Sequence, residues 1–139
     1  MGKLNCILLV DDDRATNFFH KMVIEDLKVC NHVQICTDGR DALDYLTNQG
    51  DYSKNKNYPK PELIFLDINM PGLNGFDFLE EYKDLPSDLK DSKIIIMLST
   101  SLIEDDRLRA ESYKEVSEFK NKPLTEKYIT DIIIKYFKT

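Results

Sequence analysis

The chain has 139 residues, a net charge of −6 and a pI near 4.9. This length is typical of a single domain, roughly 100–150 residues, that buries its own core. The acidic balance argues against a nucleic-acid surface, which needs basic side chains to neutralise phosphates. No apolar stretch approaches the ~20 residues that span a bilayer, so we expect one cytoplasmic domain over residues 1–139 without membrane contact.

Apolar runs alternate with amphipathic stretches along the chain, a pattern typical of a parallel sheet covered by helices. The first run, Cys6 to Asp13, predicts a buried strand that ends in three acids. A first helix is predicted from Arg14 to Lys28, on the helical spacing of five apolar residues: Phe18, Phe19, Met22, Val23 and Leu27. The second strand is Val33 to Thr37, and Asp38 suits the start of a second helix.

The middle of the chain contains one long polar segment. Thr47 to Pro61 is rich in Asn, Lys, Gly and Tyr and has no hydrophobic period, which predicts a mobile loop. The next apolar run, Leu63 to Gly72, predicts the third strand and a chain reversal at its end. A third helix is predicted from Phe76 to Asp84, and Leu85 to Ser92 as a second polar connection.

The last part of the chain supplies two more strands and two more helices. Ile94 to Ser101 is the fourth apolar run, and Ser101 has capping-box spacing from Glu104, which predicts a fourth helix to about Lys114. Glu118 to Leu124 is the fifth strand, followed by a final helix whose apolar stripe ends near the last residue. We expect no output domain beyond it.

Polar residues of particular kinds end four of these runs. In an open parallel sheet the ligand site lies beyond the carboxyl ends of the strands, where residues distant in sequence converge. The residues expected to share one pocket are Asp11, Asp12, Asp67, Ser99 and Lys122.

This combination resembles the receiver domain of bacterial two-component response regulators, the CheY-like family. An acid pair, D-x-x-M-P-G, a hydroxyl residue and Lys-Pro follow the first, third, fourth and fifth strands. The resemblance covers essentially the whole chain. It implies an α/β fold with a five-stranded parallel sheet of order 2-1-3-4-5, flanked by five helices. It also implies a stand-alone phosphorylation switch that catalyses only its own phosphorylation and dephosphorylation.

The resemblance assigns a role to each acid. Asp67 is expected to accept the phosphoryl group as an aspartyl phosphate. Asp12, Asp67 and the backbone carbonyl of Asn69 match the family's Mg²⁺ ligands, and Asp11 is expected to act through a bound water. Asp13 is expected to cap the first helix instead.

The other site residues follow from the same resemblance. Lys122 precedes Pro123, where the family has a cis peptide, and is expected to neutralise phosphoryl oxygen. Lys120 points to the opposite strand face and is the weaker candidate. The switch pair is Ser99, with Thr100 as the alternative hydroxyl, and one aromatic residue of the fifth strand: Phe119.

The expected partners are a sensor histidine kinase or a histidine phosphotransfer protein, and an unknown downstream protein. The downstream protein would bind the face of the fourth helix, fifth strand and fifth helix. A phosphatase of the haloacid dehalogenase type is one alternative, but that family needs a second Asp where this chain has Asn69. A pseudo-receiver is another. His20 and His32 are predicted to be surface or partly buried residues without a site role, and the three cysteines to be buried, reduced thiols.

Overall fold

The computed structural model describes residues 3–53, 58–90, 93–101 and 103–137. Strands and helices alternate along the chain as predicted, with a short 3₁₀ helix at Gly50–Tyr52. The elements are β1 (Ile7–Val10), α1 (Arg14–Leu27), β2 (Val33–Cys36), α2 (Gly39–Thr47), β3 (Leu63–Asp67), α3 (Gly75–Tyr82), α4 (Ser87–Lys90), β4 (Ile94–Ser99), α5 (Glu104–Glu111), β5 (Val116–Asn121) and α6 (Glu126–Phe137). The fourth and fifth helices of the sequence prediction are therefore α5 and α6.

All five strands form one parallel sheet in the order β2-β1-β3-β4-β5, which confirms the predicted order. The register aligns the ends of the strands, because Val10 lies opposite Leu66 and Asp67 lies opposite Leu98. Side chains that follow β1, β3 and β4 therefore emerge at one edge of the sheet. This edge is where a doubly wound fold places its functional residues.

Two apolar clusters, one on each face of the sheet, hold the helices in place. One cluster packs the sheet against α2, α3 and α5, and the other packs it against α1 and α6. Every residue of β1 and β3 is buried, as expected for strands that are covered on both faces. No helix in the described part of the chain has the length and apolar composition needed to cross a membrane.

Two helix predictions need correction. The described residues contain six α-helices rather than five, because the four-residue α4 lies inside the segment predicted as a polar connection. Residues 91 and 92 of that segment lie outside the described ranges. The capping box at Ser101 is also wrong, since α5 begins at Glu104 after Ile103 and has no side-chain cap. Ser101 instead exchanges two hydrogen bonds with the Ser99 hydroxyl, which keeps it in the turn after β4.

Helix α1 has the predicted bounds, but most of its predicted apolar stripe faces solvent. Three of the five residues that predicted it are 66%, 44% and 45% exposed: Phe18, Phe19 and Met22. The buried residues of α1 are Asn17, His20 and Ile24. Both polar residues pair with backbone, since Asn17 donates to the Asp11 carbonyl and His20 accepts from Leu124. The prediction that His20 is a surface or partly buried residue was therefore wrong.

The segment predicted as a mobile loop is largely packed where the structure describes it. Tyr52 is buried, and its ring meets the rings of Tyr45 and Tyr58 edge to face at centroid distances of 5.0 Å. The Tyr52 hydroxyl donates to Asp41 of α2 at 2.8 Å, and Lys60 donates to the Leu46 carbonyl. Residues 54–57 of the segment lie outside the described ranges. Packing of these aromatic rings explains the order of the segment. A search for hydrophobic periodicity does not detect it, because the isolated Tyr52 and Tyr58 do not form a helix or strand repeat.

Candidate functional site

Three carboxylates converge at the carboxyl edge of the sheet. One oxygen from each of Asp11, Asp12 and Asp67 lies within 4.8 Å of the others. Asp11 follows β1 and Asp67 ends β3, and both are 4% exposed, whereas Asp12 faces solvent. Carboxylate oxygens at this spacing suit a hard divalent cation, and the exposed Asp12 leaves the cluster open to solvent. The donor set therefore fits a divalent metal.

Lys122 enters the same cluster from the loop after β5. Its Nζ atom lies 2.6 Å from Asp11 Oδ2 and 3.0 Å from Asp67 Oδ1, and its side chain is 9% exposed. The backbone N–H of Lys122 donates to the Ser99 carbonyl at 2.9 Å, and the peptide bond to Pro123 is cis, as the family resemblance implied. The ammonium group thus bridges the acids that end β1 and β3.

Burial and crowding change the acid–base properties of this group of charges. Burial, together with the neighbouring Asp11, raises the pKa of Asp67 to about 6, although Lys122 works in the opposite direction. Burial lowers the pKa of Lys122, but its hydrogen bonds to Asp11 and Asp67 outweigh this effect and leave it raised. Lys122 is consequently charged at neutral pH, while the ionised Asp67 pays a desolvation cost. A bound cation would reduce that cost.

The third acid of the run has the structural role predicted for it. The Asp13 side chain accepts from the Thr16 N–H at 3.2 Å, so Asp13 caps α1. Its own backbone N–H donates to Asp11 Oδ1 at 2.9 Å. Since Lys122 holds Asp11 Oδ2, both oxygens of Asp11 already have protein partners. Asp12 is left as the exposed member of the pair.

The loop after Asp67 is shaped by two glycines. Gly72 has a φ of +69°, a conformation that favours glycine, and it completes the chain reversal after Met70 and Pro71. Gly75 begins α3, and a Cβ there would lie 2.4 Å from the Asp67 backbone carbonyl oxygen. The close approach of α3 fixes the backbone that carries Asp67. Asn69 is exposed in this loop, two residues after Asp67.

The two predicted switch residues lie on adjacent strands. Ser99 is fully buried, and its hydroxyl donates to the Ser101 carbonyl at 2.6 Å and accepts from the Ser101 N–H at 3.1 Å. Thr100, the alternative hydroxyl, is exposed. Phe119 lies opposite Met97 in the β4–β5 register and is half-buried against the cluster that includes α3 and α5. Both hydrogen bonds of the Ser99 hydroxyl therefore go to the backbone of Ser101, within the turn after β4.

Lys120 and His20 lie near the site but outside the acid cluster. Lys120 lies over the Tyr128 ring of α6 at 4.8 Å and is not the lysine of the acid cluster. Strand alternation is not the reason, because residues two apart share a strand face; Lys122 differs from Lys120 because it lies beyond the end of β5 at Asn121. His20 was missed: its Nε2 atom accepts from the Leu124 N–H at 3.0 Å, two residues after Lys122. The signal was present in the sequence, because Asn17, His20 and Ile24 have the spacing of one helix face.

Comparisons with known proteins agree with this geometry. A family model described as the response regulator receiver domain matches residues 7–134. The response regulator Rcp1 of Synechocystis sp. is 38% identical over 100 residues, which are 72% of this chain and 65% of Rcp1. The match thus spans just under two thirds of that relative.

Solved structures extend the comparison to the whole fold. A two-component response regulator from Cytophaga hutchinsonii superposes with a TM-score of 0.83 at 30% identity, covering 99% of both chains. The Mn²⁺-bound form of Rcp1 superposes with a TM-score of 0.69 at 34% identity, covering 96% of this chain and 93% of that one. A metal-bound relative and an acidic cluster together support a divalent metal at this site. On its sequence, its sheet order and its carboxyl-edge site, the chain belongs to the response regulator receiver domain family of two-component systems.

Proposed function

We propose that Asp67 is the residue that accepts the phosphoryl group. The observation that carries this assignment is the placement of its carboxylate at the end of β3, 3.0 Å from the Lys122 ammonium and beside two further acids. Of the acids in the cluster, Asp67 combines burial with a position on the central strand of the sheet. One of its oxygens attacks the phosphorus of a phosphohistidine, the P–N bond breaks, and the leaving imidazole takes up a proton.

Mg²⁺ is the metal that we assign to this reaction. Asp12, Asp67 and the backbone carbonyl of Asn69 would hold it, and Asp11 would act through a bound water, because both Asp11 oxygens have protein partners. When bound, the cation would supply positive charge to the phosphoryl oxygens as negative charge develops on them. It would also offset the burial and the repulsion from Asp11 that raise the pKa of Asp67.

Lys122 neutralises phosphoryl oxygen both in the transition state of the transfer and in the product. In the resting protein its ammonium bridges Asp11 and Asp67. Because formation of the acyl phosphate removes the negative charge from the Asp67 carboxyl group, Lys122 keeps Asp11 and turns its remaining donors to a phosphoryl oxygen. Replacing one ion pair with another of larger charge stabilises the product at this buried position.

The switch follows from the new charge. An aspartyl phosphate adds roughly 1.5–2 negative charges and new acceptor oxygens. Ser99 leaves Ser101 and donates its hydroxyl to the phosphoryl group, and Phe119 moves into the space vacated beside β4. Ser99 precedes α5 in the chain, and Phe119 packs against the cluster that includes Ala110 of α5, so the change reaches the face formed by α5, β5 and α6. We assign that face to an unidentified downstream protein, and the donor to a cytoplasmic sensor histidine kinase or a histidine phosphotransfer protein.

Intact-mass measurement tests the acceptor assignment. Treatment with acetyl phosphate and Mg²⁺ should add one phosphoryl group to the wild type. The addition should be absent from Asp67→Asn and from samples with excess chelator. Asp26→Asn, a change at an exposed position on α1, is the matched control and should label normally. Undiminished labelling of Asp67→Asn would overturn the assignment.

A binding measurement tests the switch. A pull-down with beryllofluoride and Mg²⁺, compared with the unliganded protein, should identify the downstream partner. Ser99→Ala and Phe119→Ala should still accept phosphate but bind that partner almost as the unphosphorylated protein does. Full phosphorylation-dependent binding by both variants would show that the switch runs elsewhere.

A further inference from the structure

A buried histidine on α1 holds the loop that carries Lys122. His20 is 1% exposed, and its Nε2 atom accepts a hydrogen bond from the backbone N–H of Leu124 at 3.0 Å. The two residues are 104 positions apart in sequence, so the contact joins α1 to the connection between β5 and α6. Leu124 is itself buried at 1% exposure. The bond is therefore shielded from competing water.

The acceptor role requires the neutral ring with its proton on Nδ1. Burial lowers the pKa of His20 to about 4, with Asp11 opposing that shift and Lys122 adding to it. At neutral pH the ring is therefore uncharged, and Nε2 keeps its lone pair. A charged imidazolium would carry a proton on both nitrogens and would lose the bond to Leu124.

The position of Leu124 in the chain gives this bond its importance. Pro123 has no backbone N–H, so Leu124 supplies the first such donor after Lys122. The N–H of Lys122 is bound to the Ser99 carbonyl at the end of β4. The Lys122-Pro123 unit is consequently held at both ends, once by β4 and once by His20. From this fixed backbone the Lys122 side chain reaches the carboxylates of Asp11 and Asp67, at 2.6 and 3.0 Å.

We propose that His20 is a positioning residue. Through its hydrogen bond to the Leu124 backbone, it keeps the Lys122 ammonium within contact distance of Asp11 and Asp67. The inference rests on the proposed function, in which Lys122 neutralises the transferred phosphoryl group. Misplacement of a reacting group by about 1 Å costs up to ~100-fold in rate. Loss of one of two backbone anchors should slow phosphorylation of Asp67 by about 10-fold.

Two variants separate positioning from packing. His20→Gln keeps a side-chain acceptor, whereas His20→Leu fills space without one. His32→Gln is the matched control, because the His32 ring pairs with the Gln34 side chain at the amino end of β2, away from the acids. We expect His20→Leu to lower the maximal phosphorylation rate about 10-fold with little change in the half-saturating acetyl phosphate concentration. His20→Gln should recover most of the rate, and His32→Gln should match the wild type.

Nuclear magnetic resonance gives a readout that needs no phosphorylation. In ¹⁵N-labelled wild type, His20 should show an unprotonated Nε2 and a protonated Nδ1 at pH 7. The Leu124 amide should exchange with solvent slowly, and at least ten times faster in His20→Leu than in His20→Gln, since a lost net hydrogen bond is worth roughly 1.4 kcal/mol or a factor of ten.

The experiments distinguish failure of the proposed function from failure of the positioning role of His20. A wild type that does not label on Asp67 would overturn the proposed function, while the tautomer and the Leu124 exchange rate still decide whether His20 holds the loop. A protonated Nε2, or a His20→Leu variant with the wild-type phosphorylation rate, would overturn the positioning role. Since the tautomer is read in the wild type, the test survives even if His20→Leu fails to fold.

Discussion

Asp67→Asn should make the protein more stable at neutral pH in the absence of metal. Asp67 is 4% exposed, lies within reach of Asp11 and Asp12, and shares one ammonium group with Asp11. Asn has nearly the same shape and can still accept a hydrogen bond from Lys122. The substitution therefore removes a buried, crowded charge while it leaves the packing of β3 intact.

The pKa of Asp67 sets the size and the pH window of this effect. It rises from an ordinary value of 3.8 to about 6, and each pKa unit is worth about 1.4 kcal/mol. The ionised carboxylate thus costs the folded state about 3 kcal/mol at pH 7. Because the folded-state pKa is the higher one, the folded protein binds the proton first as pH falls through 6. The cost disappears towards pH 4, below which both states are protonated.

Urea denaturation in excess chelator, repeated between pH 7.5 and 4, measures the effect. Asp67→Asn should exceed the wild type by up to about 3 kcal/mol at pH 7, and the difference should shrink towards zero near pH 4. Added Mg²⁺ should stabilise the wild type more than the variant, since the ligand binds the folded state. The matched control, Asp26→Asn, should show no such pH dependence. An Asp67→Asn variant no more stable than the wild type at pH 7 would refute the reasoning.

Three further substitutions test other parts of the site and fold. Asp12→Asn should weaken Mg²⁺ binding at least ~10-fold in isothermal titration calorimetry, because even partners outside the ligand set contribute that much; unchanged affinity would exclude Asp12 as a ligand. Gly75→Ala should lower the free energy of unfolding by about 1–3 kcal/mol and slow phosphorylation, since its Cβ meets the Asp67 carbonyl at 2.4 Å; wild-type values for both would contradict the close approach. Tyr52→Ala should cost about 3 kcal/mol in urea denaturation by opening the tyrosine cluster, and a negligible change would show that the segment after α2 is not packed.

The strands and the convergence of the acids were predictable because each strand and its carboxyl end are marked within a short stretch of sequence. A run such as Leu63 to Asp67 is apolar on both faces and then abruptly polar, which identifies a buried strand and its carboxyl end together. Parallel pairing then brings such ends to one edge. The ligand set and the role of each residue came from the family resemblance, since apolar patterning alone does not distinguish a nucleophile from a cap.

The errors have a different physical origin. In α1 the apolar Phe18 and Phe19 face solvent because the inward positions serve backbone groups of other segments, through Asn17 and His20. Hydrophobic periodicity assumes that the inward face is the apolar one, and it fails where buried polar groups have partners elsewhere in the chain. The Leu124 N–H, 104 residues from His20, is such a partner.

In the switch that we propose, the two hydrogen bonds between Ser99 and Ser101 set the fraction of unphosphorylated molecules that adopt the active arrangement. For the hydroxyl to adopt the signalling arrangement without a phosphoryl group, both bonds must break with nothing to replace them. At roughly 1 kcal/mol each, they hold spontaneous activation to a few per cent of molecules. A substitution that loosens the turn at Ser101 would therefore raise the active fraction of the unphosphorylated protein. The difference in activity between the unphosphorylated and the phosphorylated protein would then become smaller.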